Sequence, residues 1–141
     1  MEDARALYEW RNDPLMRQQS RNTDAVPWEK HVAWLEQSLT MPTRTLYIAE
    51  QGGIPVGTVR ADERDGVQEL SWTVAPEARG RGIGKRMVLQ FVQQVLPNAS
   101  LLAGIKQGNA ASESIARALN LSPIGPESPN DKSPNPVILW R

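Results

Sequence analysis

Arg79-Gly80-Arg81-Gly82-Ile83-Gly84 constrains this chain more than any other segment, because it stands between a strand pattern and a helix pattern. Upstream, residues Val67 to Val74 (VQELSWTV) are rich in β-branched and aromatic types and are bounded by Gly66 and Pro76. Downstream, Ile83, Met87, Val88, Phe91, Val92 and Val95 recur at helical spacing and form one apolar stripe. Glycines at such a junction leave successive backbone N–H groups uncovered, and the helix that follows adds the positive end of its dipole. The combination predicts a phosphate cradle built from Arg79, Gly80, Arg81, Gly82, Ile83, Gly84 and Lys85, with two arginines adding charge.

Spacing decides which phosphate ligand. A P-loop needs Lys followed by Ser or Thr after its last glycine, whereas Gly84-Lys85 is followed by Arg86. A Rossmann turn needs G-x-G-x-x-G and a later acid, and neither is present at the right distance. What remains is R-x-x-G-x-G at Arg79, Gly82 and Gly84, preceded by Val74-Ala75-Pro76-Glu77. This pattern resembles the coenzyme A pyrophosphate loop of the GNAT acetyltransferase superfamily; the plain alternative is a glycine-rich turn with no ligand.

A second block follows a short apolar run, Ser100 to Ile105. Asn109, Ser112, Leu119 and their neighbours are similar to the family's N-x-x-S-x-x-x-Y-x-x-L-G-F segment, with departures at Ala116, Asn120 and Leu121. The resemblance implies that Asn109 and Ser112 contact the cofactor. Read as residues alone, Asn109 is a helix N-cap, and both roles use the same exposed helix start.

Composition narrows the remaining choices. A chain of 141 residues suits one domain, 1–141, with a single core. Sixteen basic and sixteen acidic residues cancel, which argues against a nucleic-acid partner. Cysteine is absent, so disulfides, thiolate metal sites and a Cys nucleophile are excluded. His31 is the only histidine and no carboxylate cluster accompanies it, so no metal is expected. No apolar run has membrane length and no signal pattern opens the chain, which makes a cytoplasmic protein without a membrane partner the default.

Along the chain, Asp3 is placed to cap a first helix carrying Leu7 and Trp10, which Asp13-Pro14 breaks or kinks. Residues 18–26 read as a polar loop. Pro27 opens a second helix from its first turn, with Trp28, Val32, Leu35 and Leu39 on one face. A hairpin follows, from Thr45 to Gln51 and Ile54 to Asp62 around Gly52-Gly53. The strand at Val67, the long helix, the strand at Ser100 and the helix at Asn109 come next. Five prolines between 123 and 136 mark a loop before a final strand, Val137 to Trp140. The order ααβββαβα plus a terminal strand predicts an α/β (α+β) domain. The resemblance implies a mixed, mainly antiparallel central sheet flanked by helices. The strand that normally opens the family's domain is missing, as in a trimmed chain or a piece of a fusion.

The amino-terminal segments Glu9 to Pro14, Arg17, Asn22-Thr23 and Trp28 to His31 with Trp34 resemble one branch of the superfamily. That branch holds amino-sugar N-acetyltransferases of nonulosonic acid synthesis and sequences like the ribosomal-protein N-terminal acetyltransferases. The resemblance implies acetyl-CoA as acyl donor and a small amine as acceptor, with a nucleotide-linked amino sugar first. A protein N-terminus or an aminoglycoside is the second choice, and a catalytically weak CoA-binding module the third. A homodimer is compatible with this reading.

The amide-rich arm of coenzyme A can add to a strand edge, and Trp72, Thr73 and Val74 are the residues placed for it. Glu69, Ser71 and Thr73 share one strand face. Several family members place a Glu at this position and use it through water as the base that deprotonates the amine. Its plain alternative is a solvated strand carboxylate. Ala116 removes the usual tyrosine donor. Arg11, Asn12, Asn22 and His31 are the candidate acceptor-binding groups. Arg11 and Asn12 read equally well as ties between the first helix and its loop, and His31 as a half-buried structural histidine.

Overall fold

Alternation along two neighbouring strands sets the architecture. In β2 (Ile54–Arg64) and β3 (Val67–Val74), Val59, Ala61 and Leu70 point to one side and pack on Met87, Val88, Phe91 and Ile115. The other side carries Thr58, Arg60 and Asp62, paired in register with Thr73, Ser71 and Glu69. One face of the sheet is therefore apolar and the other polar, although both are covered by helices.

The computed structural model describes residues 3–21 and 23–141; the candidate Asn22 lies outside the described residues. Helices α1 (Ala4–Arg11), α2 (Pro14–Gln19) and α3 (Trp28–Thr40) precede β1 (Arg44–Gln51), β2 and β3. A 3-10 turn at Pro76–Ala78 leads to α4 (Ile83–Val95), β4 (Ser100–Lys106), α5 (Ala110–Ala118), β5 (Pro123–Pro126) and β6 (Val137–Trp140). The six strands lie in the order β1-β2-β3-β4-β6-β5. Every neighbouring pair is antiparallel except β3 and β4. This is the mixed, mainly antiparallel sheet flanked by helices that the resemblance implied.

Three buried clusters hold the layers, one of them formed by Ala103, Ile105, Ala116, Leu121 and Trp140. Between the helices α1 and α3 and the polar face, Leu7, Trp10, Leu35 and Val56 cluster with Ala75, Ala78 and Ile83. On the apolar face the stripe of α4 is sunk into β2 and β3, and Val88 is fully buried. Removing a valine side chain from water contributes about 1.5–3 kcal/mol.

Three boundaries differ from the sequence reading, each for a local reason. Asp13-Pro14 does more than break a helix: Asp13 accepts from Met16 N (3.2 Å) and Pro14 opens α2, so part of the expected loop is helical. Asp3 occupies the N-cap position of α1 without a capping hydrogen bond, and Pro27 is the N-cap residue of α3 rather than its first turn. The proline-rich segment contains β5, whose Pro123 and Pro126 are tolerated because it is an edge strand with a register shift before Gly125.

Candidate active site

The β3–β4 pairing runs from Val67↔Ser100 to Leu70↔Ala103 and then stops, although β3 continues to Val74 and β4 to Lys106. Beyond Leu70 the strands part, while β3 stays paired with β2 through Val74 and β4 pairs with β6 from Ala103. The β4-facing edge of Ser71 to Val74 is thus left without a strand partner. A groove of about 810 Å³ fills the opening, bounded by Trp72, Thr73 and Val74 on the strand and by Asn109 and Ser112 at the start of α5.

The glycine loop closes one end of this groove. Gly82 is the N-cap of α4 with φ +72°, Gly80 has φ +78°, and a Cβ on either would meet nothing within 4 Å. These left-handed conformations suit glycine and leave the backbone bare toward the opening. Gly84 acts differently, since a Cβ there would press on Val74 Cγ2 (3.0 Å) and Ile115 Cδ1 (3.2 Å). It brings α4 close to the strand.

Ile83, Gly84, Lys85 and Arg79 join Gly80 and Gly82 in lining the groove, whereas the exposed Arg81 does not. The Arg79 guanidinium is tied to Asp13 at 2.9 Å, which draws α2 against the loop. Burial, the largest single influence, would raise the Asp13 carboxyl, but the hydrogen bond and charge of Arg79 together with the Met16 and Leu15 N–H groups outweigh it and hold it below its usual range.

Asn109 caps α5 by accepting from Ser112 N (3.3 Å), and Ser112 Oγ accepts from Trp72 Nε1 (3.1 Å). The helix start is thereby locked to the open strand. Ala116 is wholly buried among Ala103, Ile105, Leu121 and Trp140. Ala116 therefore presents no hydroxyl to the groove.

A second cavity of about 360 Å³ lies between the sheet's polar face and the helices α1 and α3. Trp10, Trp34 and Leu46 form its apolar wall, and Thr58, Ser71 and Thr73 bring hydroxyls. Arg11, Arg60, Ser71, Trp72 and Thr73 border both spaces, so groove and cavity meet at the open edge of β3. Among the described residues lining the cavity there is no Asp or Glu.

The four acceptor-side candidates separate. Arg11 borders both spaces, and burial followed by the charge of Arg17 presses it below the usual arginine value. Asn12 is occupied in donating to Val26 O (2.9 Å) and accepting from Val26 N (2.7 Å), so it ties α1 to the loop before α3. His31 lines the cavity and is only 4% exposed, beside the rings of Tyr8, Trp28 and Trp34. Burial lowers its pKa, partly opposed by a hydrogen bond to the Ala4 backbone, and its Nε2 has no hydrogen-bond partner. The imidazole is neutral near pH 7.

Glu69 borders neither space. Arg21, from the loop after α2, donates to Glu69 Oε2 (3.1 Å) and to Glu127 Oε2 (2.9 Å) and itself lines the groove. Burial alone would lower the Arg21 pKa, but Glu127 and then Glu69 outweigh it and raise it. The guanidinium lies against the Cα of Gly104, where any side chain would collide with it.

Arg60 and Arg21 were not among the sequence candidates. Arg60 holds Ser71 Oγ (3.3 Å) and lies 3.0 Å from Asp62 Oδ2 outside hydrogen-bonding geometry, while Arg44 takes Asp62 Oδ1 at 2.6 Å. The available signal was the alternation of charged Arg60 and Asp62 with buried Val59 and Ala61 in one strand.

Comparison with known proteins agrees with this geometry. A family model described as the acetyltransferase (GNAT) domain matches residues 1–122. Among curated proteins compared by sequence, none matches. The chain is similar to a ribosomal-protein-alanine N-acetyltransferase from Brucella melitensis, at 26% identity and TM-score 0.80, covering 99% of this chain and 93% of that one. It shares its fold with a spermidine N-acetyltransferase from Vibrio cholerae solved with CoA and spermine, at 12% identity and TM-score 0.82, covering 99% and 88%. A protein from Salmonella typhimurium solved with its cofactor acetyl-CoA has the same fold, at 20% identity and TM-score 0.76, covering 99% and 86%. The chain belongs to the GNAT acetyltransferase family and is an acetyl-CoA-dependent N-acetyltransferase of that type.

Proposed function

We propose that the enzyme acetylates the amine of a small hydroxyl-rich acceptor, a nucleotide-linked amino sugar first among them, seated in the cavity beside the open edge of β3. The observation that carries this is the lining: flat aromatic walls, three hydroxyls and no carboxylate among the described lining residues. Tryptophan faces suit a sugar ring, and hydroxyl side chains suit its oxygens. A polycation such as a polyamine or an aminoglycoside asks for carboxylates that this wall does not offer.

In this reading acetyl-CoA lies in the groove as acyl donor and supplies the thioester. The loop from Arg79 to Lys85 binds the pyrophosphate through its backbone amides, and Trp72, Thr73 and Val74 hydrogen-bond the pantetheine arm as an added strand. Asn109 and Ser112 stand at the cofactor side. Free N–H groups on this edge stabilise negative charge on the thioester carbonyl oxygen as the amine adds. Glu69 takes the amine proton through water once Arg21 releases Oε2. Ser112 and Ser114 border the groove and stand in for the absent tyrosine as hydroxyls able to protonate the leaving thiolate. Proximity of the two reactants supplies much of the remaining rate.

A cytoplasmic location belongs to the same proposal; among the described residues no helix is long and apolar enough to cross a membrane. Thiol release from acetyl-CoA, measured across a panel of amines, tests the acceptor. Nucleotide amino sugars are expected to give the highest kcat/KM. Efficient acetylation of spermidine, aminoglycosides or peptide N-termini with none of nucleotide amino sugars would refute the assignment.

A further inference from the structure

The cavity holds a charge arrangement more specific than a neutral sugar requires. Two guanidinium groups, Arg44 and Arg60, share the single carboxylate of Asp62, while the next carboxylate along the face, Glu69, is hydrogen-bonded by Arg21. Only Arg60 of these six groups, counting Glu127 beyond Arg21, lines the cavity. Its Nε is turned toward Asp62 Oδ2 (3.0 Å), and a terminal nitrogen holds Ser71 Oγ (3.3 Å).

Burial opposes its charge most, and Arg44 adds to that, while Asp62 and Glu69 offset only part. A half-buried cation that shares one carboxylate with a second cation is stabilised by an anion brought to it. The guanidinium plane suits a carboxylate or a phosphate, with two parallel N–H donors.

His31 also borders the cavity. A hydrogen bond to the Ala4 backbone occupies one ring nitrogen, and Nε2 is buried without a partner in a side chain only 4% exposed. The ring is thus a reporter in the cavity wall.

We infer that the cavity selects an acceptor amine that carries an anionic group, held by Arg60. The inference rests on the reading of this cavity as the acceptor site. It makes Arg60 a specificity-determining residue and names the acceptor class: an amine bearing a phosphate or a carboxylate.

His31 is the only histidine, so its imidazole resonances are assigned by inspection and report occupancy without any turnover. The CoA-saturated protein is titrated with glucosamine, glucosamine 6-phosphate and glucosaminate, following the His31 ring signals and, by calorimetry, Kd. The anionic probes are expected to bind at least about tenfold more tightly than glucosamine and to shift the His31 signals. The phosphate and carboxylate arms show which anion is preferred. In Arg60→Gln the preference falls away, and in Arg60→Lys part of it returns, while Asp62 keeps Arg44 in both. Equal affinity for charged and uncharged probes, or a preference that survives Arg60→Gln, overturns the inference. If the anionic probes bind as expected but no amine in any class is acetylated, the anion site stands and the acetyl-acceptor reading of the cavity fails.

Discussion

His31 illustrates how one residue links packing to solution behaviour. Its folded pKa lies below the ordinary histidine value of 6.5 because burial opposes the charged form. Above pH 6.5 both folded and unfolded chains carry it neutral, so its contribution to stability is full. As the pH falls below that value the unfolded chain binds the proton first, and stability drops until the folded pKa is also passed. Thermal unfolding is expected to show Tm falling between about pH 7 and pH 5, with a flatter slope in His31→Gln. An identical slope in the variant would mean that other groups set this window. Asp13 titrates differently: its lowered pKa gives stability that is lost only in the acid range below 3.8. Gly82 offers a second test at this scale. With φ +72° at the head of α4, a valine is strained and projects into the opening. CoA affinity of Gly82→Val is expected to fall by about tenfold or more with the circular dichroism spectrum retained. Unchanged affinity would take the pyrophosphate away from this loop.

At the scale of elements, the parting of β3 from β4 makes the site, and α5 is pinned to it by Trp72 and Ser112. On the same helix Ala116 is fully buried, so a larger side chain there must displace its neighbours. Ala116→Tyr is therefore expected to cost about 1–3 kcal/mol through overpacking, measured by urea unfolding, and to leave turnover no higher. A stable, faster variant would show that α5 has slack toward the groove. On β3, Glu69→Gln is expected to reduce kcat while leaving acetyl-CoA binding intact, and to remove the acidic limb of the pH–rate profile. A profile of unchanged shape would make Glu69 a structural partner of Arg21 alone.

Much of this element structure was legible from local pattern. The span of β3, the start and stripe of α4 and the Asn109 cap depend on residues within a few positions of one another. The polar face was not legible, because Arg21 meets Glu69 and Glu127 across 48 and 106 positions. β5 was hidden by prolines that exclude a central strand and are harmless at an edge. Local pattern leaves Asn12 open between substrate contact and a tie to its loop, and its paired bonds to Val26 favour the tie.

Across the whole molecule, an alternating series of charges, Arg44, Asp62, Arg60, Glu69, Arg21 and Glu127, runs over the polar face from β1 toward the β5–β6 hairpin. Asp62 and Glu69 face each other in register, which is unfavourable for like charges, and the interleaved arginines offset it. Lys106 adds a tie by donating to Gln18 O (2.9 Å), so the helices before β1 are fastened to the far half of the sheet. The groove and the smaller cavity meet along the free edge of β3, where Ser71, Trp72 and Thr73 line both. The most direct test is a ¹⁵N-resolved amide titration with coenzyme A. The account predicts that the amides of Gly80, Gly82 and Gly84 and those of Ser71 to Val74 shift together and saturate with a single Kd. Saturating coenzyme A that leaves these amides unmoved while others shift would contradict it.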